Sequence, residues 1–183
     1  MILHRFGAWF AIQVISKREK AVTAILEYKG YELFVPTYKV RKVWSDRIKT
    51  LETPLFPGYV FCRIQGVPSG LIPSTPGVIR IVGQGNKPMP IPDDEIHALQ
   101  QMIENKIDLT PFPYLNLGDR VTISHGPLAG ISGIAVTMKS RQKLIVSVAL
   151  IMRSVMVEVD INDVSSERVP PERVLPERAL ISA

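Results

Sequence analysis

The chain has 183 residues, 46% of them hydrophobic, with a formal net charge of +5 and a pI near 9.4. That length suits one ordinary domain or two small ones, and no apolar run approaches the 18 to 20 residues of a membrane span. The first seven residues lack the long apolar core of a signal peptide, and the single Cys62 has no internal disulfide partner, so a reducing, cytoplasmic setting is expected.

Ala8 to Ile15 reads as a buried first strand. Ser16-Lys17-Arg18-Glu19 has the Ser-x-x-Glu form of a capping box, which predicts a helix running to about Lys29. Its inward face would carry Ala21, Val22, Ile25 and Leu26, and Gly30 would stop it. Lys17, Arg18 and Lys20 then fall in the first turn, where the helix dipole repels cations. That placement does nothing for helix stability and points to a phosphate-facing role, with solvated surface charge as the alternative.

Tyr31 to Val35 and Tyr38 to Trp44 read as strand segments interrupted by Pro36. Ser45-Asp46-Arg47 would form the tip of a basic arm returning through Ile48 to Thr53. Lys39, Arg41, Lys42, Arg47 and Lys49 stand against Asp46 over this stretch, so any polyanion contact is expected in the N-terminal half. Trp44 could stack on a base or pack on its own hairpin.

Leu55-Phe56-Pro57-Gly58-Tyr59-Val60-Phe61 is the stretch around which the chain is organised. Pro57 belongs at the mouth of a strand, and Gly58 permits a left-handed backbone. Alternation then places Tyr59, Phe61 and Arg63 on one face of a strand and Val60, Cys62 and Ile64 on the other. Val78 to Val82 is a further strand. Gly83 to Lys87 resembles a phosphate loop only superficially, since it lacks the Gly-Lys-Ser/Thr ending and the following helix. Asp93 is a natural N-cap for a helix ending near Asn105, with Ile96, Leu99 and Ile103 on its apolar face.

Lys106 to Asn116 contains Pro111 and Pro113 and no periodicity, and reads as a partly extended linker. Beyond it, Arg120–Ser124, Ser132–Met138, Leu144–Leu150 and Ser154–Val159 are short, β-branched and joined by turn residues, the pattern of a small β-barrel. The predicted fold class is α+β: an N-terminal α/β sandwich on an antiparallel sheet, followed by that barrel. The predicted division is 1–107, a linker at 108–114, the barrel at 115–168, and a proline-rich, disordered tail at 169–183.

Chemistry is sparse. His4, His97 and His125 are scattered, no Cys lies at ligand spacing from any of them, and neither a Ser nucleophile elbow nor a nucleotide-binding glycine pattern occurs. Asp93-Asp94-Glu95 is explained by capping. No metal, cofactor or catalytic residue is expected, and the chain is read as acting by binding.

Taken in order, Ala8–Val14, Leu55–Phe61, Thr75–Val78, Lys87–Ile91, Gly118–Val121, Gly126–Gly130 and Gly133 resemble the NusG family of transcription factors over roughly residues 8 to 165. The resemblance extends to specialised members of the RfaH and polysaccharide-operon (UpxY-like) kind. It implies a transcription elongation/antitermination factor whose N-terminal domain binds the clamp of the largest subunit of RNA polymerase and suppresses pausing. Phe10, Phe56 and Tyr59 match the family's hydrophobic patch, while Leu55 stands where a second Phe is usual. Lys17, Arg18 and Lys20 match a region facing the non-template DNA strand, and Lys39, Arg41 and Lys42 extend the nucleic-acid-binding set. The barrel matches the family's KOW module. Ile151-Met152-Arg153 occupies the position of an aromatic–Gly–Arg turn that binds Rho and a small-subunit ribosomal protein. With aromatic and glycine both replaced, Rho is not an expected partner, a ribosomal protein is left open, and a monomer is expected. A structural RNA-binding protein of ribosomal type is the competing reading.

Overall fold

A computed structural model describes residues 7–43, 48–66, 68, 70–113, 119–138, 141–159 and 163–166. The expected tail and the Ser45-Asp46-Arg47 tip with Trp44 lie outside the described residues.

Two layers of different construction follow one another. In the first, strands β1 (Ala8–Val14), β2 (Glu32–Phe34), β5 (Tyr59–Ile64) and β6 (Val78–Ile81) form a sheet in the order β2-β5-β1-β6. β1 is central and antiparallel to both neighbours, with Phe10 opposite Cys62 and Gln13 opposite Tyr59 and Arg80. β3 (Thr37–Val43) and β4 (Ile48–Pro54) leave this sheet as a separate two-stranded arm, and β7 (Gly83–Gln84) and β8 (Lys87–Pro88) make a small hairpin from the loop that mimics a phosphate site.

Helix α1 (Glu19–Tyr28) covers one face of the sheet, where Val22 and Leu26 pack against Phe10, Ile12, Val14, Val60, Cys62 and Ile64. The capping box expected at Ser16 does not form. The helix starts three residues later, with Arg18 at its N-cap position and no side-chain cap, because Lys17 turns the chain at φ +68°. Gly30, at φ +86°, ends the helix as expected. Helix α2 (Asp93–Glu104) covers the opposite face and buries Ile96, Ala98, Leu99 and Met102. Asp93 is its first helical residue rather than its cap; Pro92 holds that position. No helix among the described residues is long and apolar enough to cross a membrane.

The second layer is a six-stranded antiparallel sheet in the order β14-β10-β11-β12-β13-β9, comprising β9 (Thr110–Pro113), β10 (Asp119–Ile123), β11 (Ser132–Met138), β12 (Arg141–Val148), β13 (Arg153–Glu158) and β14 (Val164–Ser166). Residues 110–113, expected to belong to a partly extended linker, are thus an edge strand. Two prolines do not prevent this, because an edge strand needs donors on one side only. Leu144, Val146, Val148, Val155 and Val157 fill the inner face of the sheet. The apolar cluster continues without a break from these residues to Leu99 and Met102 of α2 and on to Trp9, Phe56 and Phe61. The barrel therefore packs on α2 rather than hanging free.

Candidate functional site

The Pro-Gly stretch forms a tight turn at the rim of the first sheet. Tyr59 donates its N–H to the Phe56 carbonyl at 3.1 Å, and Gly58 sits at φ +82°, a conformation that costs glycine no steric strain. Two long-range bonds hold the turn. The Val14 N–H donates to the Gly58 carbonyl at 2.8 Å, and the Gly58 N–H donates to Glu19 Oε1 at 2.8 Å. Glu19 is 4% exposed, so a buried carboxylate at the start of α1 is spent on fixing this turn. Sequence reasoning had assigned Glu19 to a capping box. No local signal links it to a glycine 39 positions away.

The three candidate aromatic anchors separate. Phe10 is 5% exposed and lies under α1, on the face opposite Tyr59; strand alternation sends Trp9, not Phe10, to the Tyr59 face. Phe56 is 2% exposed, its ring edge-on to Phe61 at 5.7 Å. Neither is a free surface anchor in this conformation. Tyr59 is half-buried at the rim. Behind it run Phe56, Phe61, Phe34 and Trp9 in successive ring contacts of 5.7, 6.1 and 6.3 Å. Arg63 closes the row, 5.4 Å above the Trp9 ring and paired with Glu32 at 3.3 Å.

The basic candidates are where a ligand could reach them. Lys17, Arg18 and Lys20 are exposed around the Ile15–Arg18 turn, and Ile15 and Ile79 are exposed as well. On the arm, Lys39 and Arg41 are exposed on one face, opposite Glu52 and Thr50. Lys42 belongs to the same strand with its side chain outside the described set. Lys39 also lines a cavity of about 360 Å³ with Tyr38, Glu52 and Lys106, between the arm and the end of α2.

On the barrel, Ile151 is buried while Met152 and Arg153 are exposed. Replacing glycine removes its freedom to take positive φ without strain. Met152 takes it nonetheless, at φ +52° and ψ +49°, immediately after a 3-10 turn at Ala149–Ile151. The backbone of the turn is kept at the cost of strain.

The barrel meets α2 through polar contacts around the apolar joint. Gln101 Nε2 and Asn105 Nδ2 donate to the Pro127 carbonyl at 3.1 and 3.2 Å, and the Ala149 N–H donates to Glu95 Oε2 at 3.2 Å. Burial pushes the Glu95 carboxyl up to about 7, with the Ala149 N–H lowering it and neighbouring Asp94 raising it further. Cys62 is buried, and burial followed by the charge of Glu32 pushes its thiol up to about 12, which leaves it inert at neutral pH. Among the described residues, no group of three or more His, Cys, Asp or Glu could hold a metal ion.

Residues 7–100 match the family model described as transcription termination factor NusG. The transcription termination/antitermination protein NusG of Neisseria meningitidis serogroup B is 30% identical over 171 residues, which cover 85% of this chain and 96% of that protein. The protein of the same description from Escherichia coli K12 is 26% identical over 170 residues, covering 85% and 94%. A solved structure of Thermotoga maritima NusG superposes with a TM-score of 0.51 at 22% identity, covering 86% of this chain and 95% of that one, a likeness that speaks for the fold.

Proposed function

This chain is a member of the NusG family of transcription termination/antitermination factors, and on that basis we propose that it binds RNA polymerase through its N-terminal module and suppresses pausing or termination. The observation that carries the reading is Tyr59. It stands at the sheet rim beside a turn fixed by Glu19 and Val14, and a row of packed aromatic rings backs it. A rigid aromatic on an immobile turn loses little entropy on binding, which is what makes such residues interface hot spots. The clamp of the largest polymerase subunit is the proposed partner.

Phe56 and Phe10 enter this proposal as supports of the patch, from below and from the opposite face. Lys17, Arg18 and Lys20 are proposed to contact non-template DNA, with Lys39, Arg41 and Lys42 on the arm as a second basic element. Phosphate contacts by exposed lysine and arginine would position the strand without reading its sequence. The working modules remain 1–107 and 115–168, with residues 110–113 of the connecting segment assigned to the barrel's edge. The barrel is proposed to stay β, because Leu144–Val148 and Val155–Val159 are rich in β-branched residues that lose side-chain freedom in helices. Met152 and Arg153 are its proposed contact with a protein partner, and Ile151 their buried support. Without the aromatic anchor, Rho is not that partner.

The test is a polymerase pull-down and a pausing assay with Tyr59→Ala. Binding is expected to weaken roughly thirtyfold, as for a truncated hot spot of about 2 kcal/mol, with no change in melting. Normal binding by a folded variant would place the polymerase contact elsewhere.

A further inference from the structure

Gln13 stands at the centre of a cross-strand row. It lies opposite Tyr59 of β5 on one side and opposite Arg80 of β6 on the other. Residues paired across neighbouring strands point to the same face of a sheet. Trp9, Phe61 and Val82, each an even number of places from the row, lie in the apolar cluster of that face. Ile12, Val60 and Ile81, at odd positions, pack under α1 instead. Neighbouring strands run about 4.8 Å apart, so the backbone of Arg80 is roughly 10 Å from that of Tyr59, near enough for one partner segment to touch both.

Arg80 is exposed, yet its side chain is braced: Nε donates to Gln13 Oε1 at 2.8 Å. That bond orients the guanidinium and leaves its two terminal nitrogens to donate elsewhere. No carboxylate of the described residues pairs with it. Arg63, the other arginine of this face, is paired with Glu32 and lies over the Trp9 ring. An arginine held by one hydrogen bond has already lost part of its rotamer freedom, so a bidentate contact through its outer nitrogens costs less entropy.

We propose that Arg80, braced by Gln13, is a specificity-determining contact that takes an Asp or Glu side chain on the same polymerase segment that covers Tyr59. This rests on the reading of Tyr59 as the polymerase anchor. The face decides for a carboxylate of protein over a phosphate of DNA. Lys17, Arg18 and Lys20 gather at the turn entering α1, which covers the other side of the sheet, whereas Arg80 shares the Tyr59 side. An aromatic ring with a directed cation beside it fits an apolar seat with an acid at its edge. The same cation opposes a segment that presents a basic side chain there.

The test is titration of the full chain with RNA polymerase core enzyme at several salt concentrations. Arg80→Gln is expected to weaken binding by about fivefold or more and to lessen its salt dependence, with melting and single-stranded DNA affinity unchanged. Arg80→Lys keeps the charge without the planar fork and is expected to recover part of the loss. Arg80→Glu is expected to bind more weakly still, and replacing one acidic residue of the polymerase clamp with Lys should restore it. Gln13→Ala is expected to weaken the unmodified chain by about threefold but to leave Arg80→Gln unchanged, a coupling that a merely structural role for Gln13 would not produce. Normal polymerase binding by Arg80→Gln, with Tyr59→Ala weakened, overturns this proposal and leaves the Tyr59 reading standing. Normal binding by Tyr59→Ala overturns both. Loss of single-stranded DNA affinity in Arg80→Gln with polymerase binding intact overturns it in favour of a phosphate contact.

Discussion

Phe56→Ala separates a buried support from a surface anchor. The ring is 2% exposed and meets Phe61 edge-on at 5.7 Å, within the apolar cluster that also holds Trp9, Leu99 and Met102. Truncating a fully buried phenylalanine loses its transfer free energy and leaves a cavity that close-packed neighbours refill only in part, at a cost of about 3–5 kcal/mol. The aromatic pair adds about 1 kcal/mol beyond area, a part of that same cost. For a chain of this size, each kcal/mol moves the melting temperature by roughly 2–4 °C, so the variant should melt about 6–20 °C lower. Polymerase binding should fall as well, in proportion to the loss of folded protein and of support beneath Tyr59. The assay is thermal and urea unfolding of Phe56→Ala beside Tyr59→Ala, with a pull-down at a temperature where both are folded. If Phe56→Ala melts with the unmodified chain and loses only binding, the ring is a surface anchor and the packing argument fails.

Three further outcomes are expected. Changing Lys17, Arg18 and Lys20 to Glu should weaken single-stranded DNA binding and lower the slope of log K against log salt by about 2, at about 0.7 per lost phosphate contact; an unchanged slope refutes the DNA assignment. The Glu95 carboxyl is raised to about 7 in the folded chain from 4.5, so the folded state holds more protons over that window. Stability should therefore fall as pH rises from about 4.5 through 7, by about 1 kcal/mol after discounting for a half-buried site, and Glu95→Gln should flatten that fall in urea titrations at several pH values. Met152→Gly should relieve the left-handed strain of an exposed residue. After the entropy of glycine in the unfolded chain is subtracted, a gain of about 0.5–1 kcal/mol remains, and a lower midpoint in urea would contradict the turn geometry.

Local periodicity in the sequence determined which residues share a face. Alternation along Tyr59–Ile64 separated Phe61 and Arg63 from Val60 and Cys62 as the sheet does, and the helical spacing of Val22 and Leu26 marked the side that packs. The β-branched runs likewise marked the C-terminal strands, because side-chain crowding acts within a few residues. Periodicity does not say what covers a face. Phe10, Phe56 and Tyr59 were matched alike to one hydrophobic patch, and only the packing of α1 and α2 on opposite sides of the sheet buried the first two and left Tyr59 at the surface. The same limit applies to hydrogen-bond partners distant in sequence. Glu19 fitted a local capping pattern, but its carboxylate is taken by Gly58, and Pro111 and Pro113 suggested a linker until β13 offered an edge needing donors from one side only. A backbone group left unpaired locally is satisfied by whichever part of the chain the fold brings to it, and that choice is made by tertiary structure.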